Sequence, residues 1–274
     1  MTVHAMTPPA TGPASGTVYV NRMVHRAFHR DGEFLRAPRH RANVRVYLSD
    51  LLRPYGLTLD EERFEAGTGQ SYGEMAVELI EAVVDEPVDV LVLAFAVPDV
   101  WPGRATATYL SHVCPGAPLA FAVCDQGTAG AYTGLRLVRD YLLSGAARRA
   151  LLLTVEQSTV HYDPPGAAPI PTGAAGVAVL CALAPTGPDA RRLDSVSVRP
   201  HATPTDLADP PPGATLIAGA GLDQARAGQP YTGAWAGLAA TTTTTAATGT
   251  VVLADYDPAL RYLCTATFTR GSSA

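Results

Sequence analysis

The stretch AFAVCDQGTAGAY, residues 120–132, decides how this chain is read. It runs from an apolar, strand-like segment through a sharp polar turn into a small-residue helix start, and an amphipathic continuation ends at Ser144-Gly145. Strand, tight turn and helix N-terminus in that order display a nucleophile, because the free amides and dipole of the first helical turn stabilise negative charge. The side chains on offer are Cys124, Asp125, Gln126 and Thr128, around Gly127.

Outward from that turn the pattern is an alternation of helices and buried strands. Between 72 and 84, Met75, Ala76, Leu79, Ile80 and Val83 recur at three and four, which is an amphipathic helix. VDVLVLAFA (88–96) is a continuous apolar run suited to a strand covered on both faces, and Pro98-Asp99 stops it. A helix from Arg104, the strand PLAFAV (118–123), the helix TGLRLVRDYLLS (133–144) and the strands ALLLTVE (150–156) and GVAVLCAL (176–183) follow. Such alternation gives a mixed sheet with helices over its faces. Beyond a polar, proline-containing link at 185–189 the pattern is sparser. It holds strands at 195–199 and 215–219, a helix around Trp235 to Ala239, and a closing hairpin over 251–268. Residues 1–15 have the Pro, Thr and Ala content of a disordered leader.

Composition narrows the function classes. The 274 residues are 47% hydrophobic and 16% charged, enough to bury a large core. A net charge of -5 argues against a nucleic-acid or anionic-membrane surface, and the absence of lysine excludes Schiff-base chemistry and a P-loop lysine. Apolar runs are too short to span a bilayer and the N-terminus lacks a signal-peptide core, so a cytoplasmic location is expected. Cys114, Cys124, Cys181 and Cys264 are scattered without a Cys-x-x-Cys pair, spell no metal site, and read as reduced thiols. Asp255 and Asp257, in ADYDP, read as hairpin-turn residues rather than metal ligands. The arginine- and histidine-rich stretch 26–45 is the one basic patch, expected as a solvated loop or as a dock for an acidic partner.

The segment 120–145 resembles the nucleophile region of ketoacyl synthase III enzymes of the thiolase superfamily, whose motif is roughly Ala-Phe-Asp-Ile-x-x-x-Cys-Ala-Gly-Phe before a helix ending in Ser-Gly. Pro98-Asp99 with Pro102 is similar to that family's Thr-Pro-Asp…Pro-Ser-Thr-Ala segment, and SGAARRALLL from Ser144 to its Ser-Gly-x-x-Lys-x-x-Leu-Val-Val. The resemblance, best from Val88 to Leu183, implies an α/β thiolase fold. Two related βαβαβαββ halves, residues 16–184 and a shortened 185–274, would lie in α/β/α/β/α layers.

The departures bear on chemistry. Counted from Ser144-Gly145 the family's cysteine falls on Thr128, and counted from Ala120-Phe121 it falls on Gly127. Its Gly-Asp-Gly-Ala turn survives only as Gly173-Ala-Ala-Gly176, its histidine falls near Gly219 to Gly221, and its asparagine near Pro230 to Thr232, beside Tyr231. A condensing enzyme needs a thiolate to hold the acyl group and His and Asn donors to stabilise the enolate. A chain without them is expected to be a non-condensing partner subunit in acyl-chain or polyketide biosynthesis. Gln126 is suggestive of chain-length factors, which place a glutamine at the lost cysteine, although here it sits two residues early.

The alternative is an acyltransferase acting on an acyl-coenzyme A or acyl carrier protein thioester through Cys124, or through Thr128 with His161 as base. Asp125, Gln126, Gly127, Gly173 and Tyr231 would line the pocket, with no bound cofactor or metal. The competing position for Cys124 is a buried strand, and for His161 the surface. The resemblance also implies dimerisation through the strand 118–123, as a homodimer or with an active ketosynthase.

Overall fold

A computed structural model describes residues 16–32, 38–67, 69–102, 105–166, 169–242 and 249–270. The expected leader and most of the threonine run after Thr241 lie outside these residues. The first half contains β1 (Val18–Phe28), α1 (Pro38–Leu52), α2 (Glu61–Ala66), α3 (Tyr72–Val83), β2 (Val90–Ala94), α4 (Thr106–Val113), β3 (Leu119–Val123), α5 (Ala129–Leu143), β4 (Arg149–Glu156) and β5 (Ala174–Ala182). The second contains β6 (Arg191–Arg199), β7 (Thr215–Ala218), α6 (Gly233–Thr242), β8 (Val251–Asp257) and β9 (Tyr262–Arg270).

All nine strands belong to one sheet, ordered β3-β2-β4-β5-β1-β6-β9-β8-β7. Its symmetry shows when it is read outward from the antiparallel β1–β6 joint. On one side come antiparallel β5, antiparallel β4 and then parallel β2 and β3. On the other come antiparallel β9, antiparallel β8 and then parallel β7. Thus β1, β5, β4 and β2 match β6, β9, β8 and β7, and α5 before β4 matches α6 before β8. The second half has no counterpart of β3, α3 or α4 among the described residues.

The sheet folds around the helix pair. α5 lies on β2 and β4 and also reaches β6, β9 and β8, whereas α6 lies on β7 and β8 and reaches β1 and β5. One apolar cluster therefore spans both halves, with Leu135, Val138, Leu152 and Val177 from the first and Trp235, Leu238, Leu253 and Phe268 from the second. Each such side chain contributes about 1.5–3 kcal/mol by leaving water. Over the opposite face of the first half, Met75 and Leu79 of α3 and Leu110 of α4 pack on Leu91, Leu93, Leu151 and Leu153.

The corresponding outer face of the second half carries no helix among the described residues. β9 answers this by alternation: Cys264, Ala266 and Phe268 are buried, while Thr265, Thr267 and Thr269 are half-exposed. Every residue of β8 is buried, and on the outer face Tyr256 and Leu263 pack with Ala202, Leu207 and Leu222.

Two expectations are corrected. The basic stretch is not a solvated loop: residues 33–37 lie outside the described residues, most of the rest lies in β1 and α1, and four of its arginines are paired. Arg26 and Arg30 pair with Glu78 at 3.5 and 2.5 Å, Arg41 with Glu65 at 3.0 Å and Arg45 with Glu61 at 3.1 Å. Helices α1 and α2 were not expected. α2 starts where Asp60 accepts the Arg63 amide at 2.9 Å, and α3 where Ser71 and Glu74 form a capping box. No helix is long and apolar enough to cross a membrane, among the described residues.

Candidate functional site

The turn between β3 and α5 is tight because Asp125 (φ 60°) and Gly127 (φ 52°) both take left-handed conformations. Cys124 is exposed, not buried in a strand, with its Sγ 3.4 Å from Asp125 Oδ2. Desolvation first, and then that carboxylate, pushes its thiol pKa up. Gln126 is held by the Thr133 hydroxyl, which donates to its Oε1 at 2.7 Å.

Thr128 is buried at the N-cap of α5, and its amide donates to Asp257 Oδ2 at 3.1 Å. The same oxygen fills the space beside Gly127: a Cβ built there would lie inside its van der Waals envelope. The other oxygen of Asp257 accepts the Ala259 and Leu260 amides at 3.0 and 2.9 Å. So Asp257 does organise the hairpin turn, as the sequence predicts, but it also spans 129 positions to cap α5. Asp255 departs from its expected turn role altogether. It is buried on the inner face of β8, accepts the Tyr256 amide at 2.8 Å, and fills the space a side chain at Gly219 would need.

The second half repeats the arrangement. Glu156, the last residue of β4, is fully buried and accepts the Tyr231 amide at 2.8 Å and the Thr232 hydroxyl immediately before α6. Each half's central strand thus ends in a carboxylate that caps the central helix of the other half. Tyr231 is further fixed by its hydroxyl, which donates to the Pro169 carbonyl at 2.9 Å.

The electrostatics of this seam are one-sided. Burial pushes Glu156 up to about 7. It does the same to Asp255, also to about 7, with the Asp257 and Glu156 charges adding to the shift. Among the described residues none of these three carboxyls makes an ion pair, and no group of three or more His, Cys, Asp or Glu is placed to hold a metal ion.

His161 is not brought to Thr128. It is 4% exposed, correcting the expected surface position, and its ring packs edge-to-face on Phe64 at 5.2 Å and against Gly67. Both its nitrogens and the Thr128 hydroxyl lack hydrogen-bond partners, so the nucleophile–base contact is not formed. Burial holds its pKa below the usual imidazole value. Gly173 immediately precedes β5, and a Cβ there would meet nothing within 4 Å.

A cavity of about 340 Å³ opens on the other face of the first half, beside α3 and α4. Leu93, Phe95 and Trp101 line it, and Asp99, pushed up to about 6 by burial, stands in its wall.

Sequence reasoning missed Glu156, Asp255 and Asp257 as site residues. The available signal was a carboxylate at the end of an otherwise apolar strand, in LLLTVE and VVLADYD, where a buried charge needs a specific partner.

No protein-family model and no curated protein matches the chain. Solved structures do. "AbyA1 - tetronic acid condensing enzyme" is similar at a TM-score of 0.62 and 16% identity, over 92% of this chain and 100% of that one. "ChlB3 [Aceyltransferase]" is similar at 0.58 and 13%, over 93% and 98%. The 3-oxoacyl-(acyl carrier protein) synthase III, FabH, from Pseudomonas aeruginosa PAO1 is similar at 0.57 and 14%, over 94% and 100%. At these identities the likeness carries architecture alone, and by it this chain has the thiolase fold of ketoacyl synthase III-like enzymes.

Proposed function

We propose that the chain is a non-condensing, chain-length-factor-like partner subunit in acyl-chain or polyketide biosynthesis. One observation carries this reading: the N-terminus of α5, where an acyl group would be held, is already occupied by Asp257. A thioester carbonyl there would meet a carboxylate in place of free amides, and a thiol or hydroxyl beside it would be made less acidic. No histidine stands near Gly219 to Gly221 and no asparagine near Pro230 to Thr232, where the resemblance would place them.

A partner surface is available at β3. This edge strand pairs only with β2 and exposes Leu119 (51%), with Phe121 half-buried beside it. An unpaired, apolar strand edge is a template for another chain, either a second copy or an active ketosynthase. The acyl-coenzyme A or acyl carrier thioester would then be the partner's substrate.

The acyltransferase reading rests on the buried Thr128 hydroxyl, which has no hydrogen-bond partner here and would need a base brought to it before it could attack. Intact mass after incubation with a panel of acyl-coenzyme A and acyl carrier thioesters, followed by peptide mapping, separates the two. The partner-subunit reading predicts no adduct on folded protein. An acyl adduct on Thr128 or Cys124 would overturn it.

A further inference from the structure

Asp99 joins two helices while its own charge goes unanswered. Its Oδ1 accepts the Tyr72 and Trp101 amides at 3.1 and 3.2 Å, and its Oδ2 accepts the Thr106 hydroxyl at 3.2 Å, so it ties the start of α3 to the start of α4. All three donors are neutral. They use three of the roughly four acceptor positions of an ionised carboxylate, and the remaining one is on Oδ2. Among the described residues no arginine or histidine forms an ion pair with Asp99, and the one charge acting on it, that of Glu74, is negative.

A carboxylate kept only to join two helices would be packed over. Asp99 instead stands in the wall of the cavity of about 340 Å³, at the C-terminal ends of β2 and β3 and the first turn of α4. That volume lies within the range of small-molecule sites, about 300–1,000 Å³. Around the carboxylate the lining is apolar and aromatic, with Tyr72, Leu93, Phe95 and Trp101. The Tyr72 and Phe95 rings lie 5.3 Å apart, and the Tyr72 hydroxyl is engaged by the Val97 carbonyl at 2.8 Å, so Tyr72 brings no free donor to Asp99. Thr108 and Ala122, both exposed, place the entrance between α4 and β3.

We propose that this cavity binds a small organic ammonium, with its apolar body among the aromatic side chains and an N–H donating to Asp99 Oδ2. Such a ligand fills the open acceptor position with a charge-assisted hydrogen bond. It pairs a carboxylate that otherwise stands alone in apolar surroundings, and the neighbouring aromatic rings attract its charge. A neutral ligand would leave the carboxylate bare, and an anion would be repelled. The cavity lies on the face of the first half opposite α5, so the assignment stands whether or not the turn at Thr128 reacts with thioesters.

The test is calorimetric titration of the full chain with n-butylammonium, benzylammonium and 2-phenylethylammonium, each beside its neutral alcohol, for wild type, Asp99→Asn and Ala122→Phe. Burial pushes the Asp99 carboxyl up to about 6, so the titrations are made at about pH 8, where it is ionised and an alkylammonium keeps its proton. The expected result is one wild-type site for at least one ammonium with Kd below about 5 mM. The matching alcohol should bind at least about tenfold more weakly, and so should the ammonium to Asp99→Asn, which keeps the volume and loses the charge. Ala122→Phe puts a ring into the space that Ala122 borders and leaves Asp99 intact, so it should weaken the ammonium at least about tenfold as well. Absence of saturable binding by all three ammonium ions would overturn the proposal, as would equal affinity for ammonium and alcohol. An affinity unchanged in Asp99→Asn or in Ala122→Phe would place the ammonium elsewhere and overturn it too. Should Asp99→Asn not fold, the ammonium–alcohol comparison and Ala122→Phe decide.

Discussion

Replacing Gly127 by alanine while Asp257 is present should disrupt two things at once, and a double-mutant cycle separates them. The left-handed φ of 52° costs an alanine about 1–2 kcal/mol. The new Cβ also evicts the Asp257 carboxylate, whose loss can be valued on its own through Asp257→Ala. That variant leaves the buried Thr128 amide without an acceptor, worth about 1–3 kcal/mol, while the Ala259 and Leu260 amides, in an exposed turn, rehydrate at about 0.5–1 kcal/mol each. Asp257→Ala should therefore cost about 2–5 kcal/mol and Gly127→Ala about 3–7 kcal/mol. The double variant loses the carboxylate only once, so it should be about 2–5 kcal/mol less destabilised than the additive sum. Urea denaturation followed by circular dichroism, at fixed pH and with unchanged m, measures all three. Additivity within about 0.5 kcal/mol would show that Asp257 does not fill the space at Gly127.

Three other outcomes follow from the same geometry. Thiol labelling of the native protein should modify Cys124 alone, slowly at neutral pH and faster as pH rises, because Cys114, Cys181 and Cys264 are buried; mapping of labelled peptides that found a second site would contradict that burial. Leu119→Arg, at a half-exposed edge position, should leave the thermal midpoint within about 2 °C and convert any dimer to monomer in sedimentation velocity, whereas an unchanged dimer would move the interface away from β3. His161→Leu should cost less than about 1.5 kcal/mol, since it replaces a buried ring, whose one polar neighbour is the Arg63 backbone, by an apolar side chain against Phe64. A loss of more than about 1.5 kcal/mol in urea denaturation would show that the imidazole makes contacts it does not make here.

Legibility from sequence followed the range of the interactions. Helix α3 was readable because its apolar residues recur at three and four and Ser71 and Glu74 sit at capping spacing. β2, β4 and β5 were readable because both faces are covered, leaving unbroken apolar runs. The strand–turn–helix around Gly127 was readable because it is local. α1 was hidden because only Val44, Leu48 and Leu52 of its fifteen residues are buried, and its apolar contact is a small cluster with Phe64 of α2. Asp257 satisfied a local turn rule, so nothing in ADYDP showed that its other oxygen serves a helix 129 positions away. Glu156 lay at the end of its strand with the Thr232 that it caps 76 positions on, beyond any local pattern.

The place of β1 in the middle of the sheet governs how the chain must be made. It is made before the other strands of this sheet, yet its hydrogen-bonding edges are completed by β5, whose Ala182 pairs with Tyr19, and by β6, whose Leu193 pairs with Val18. Such long sequence separation makes closure slow relative to synthesis, and until β5 and β6 emerge the strand has neither neighbour. Along it Asn21, Arg22, His25 and Arg26 break the apolar run, which lowers but does not remove the tendency of its open edges to pair with another chain. A fragment ending before residue 174 would therefore be expected to expose this edge and self-associate, and the two halves acquire their sheet in a single late event.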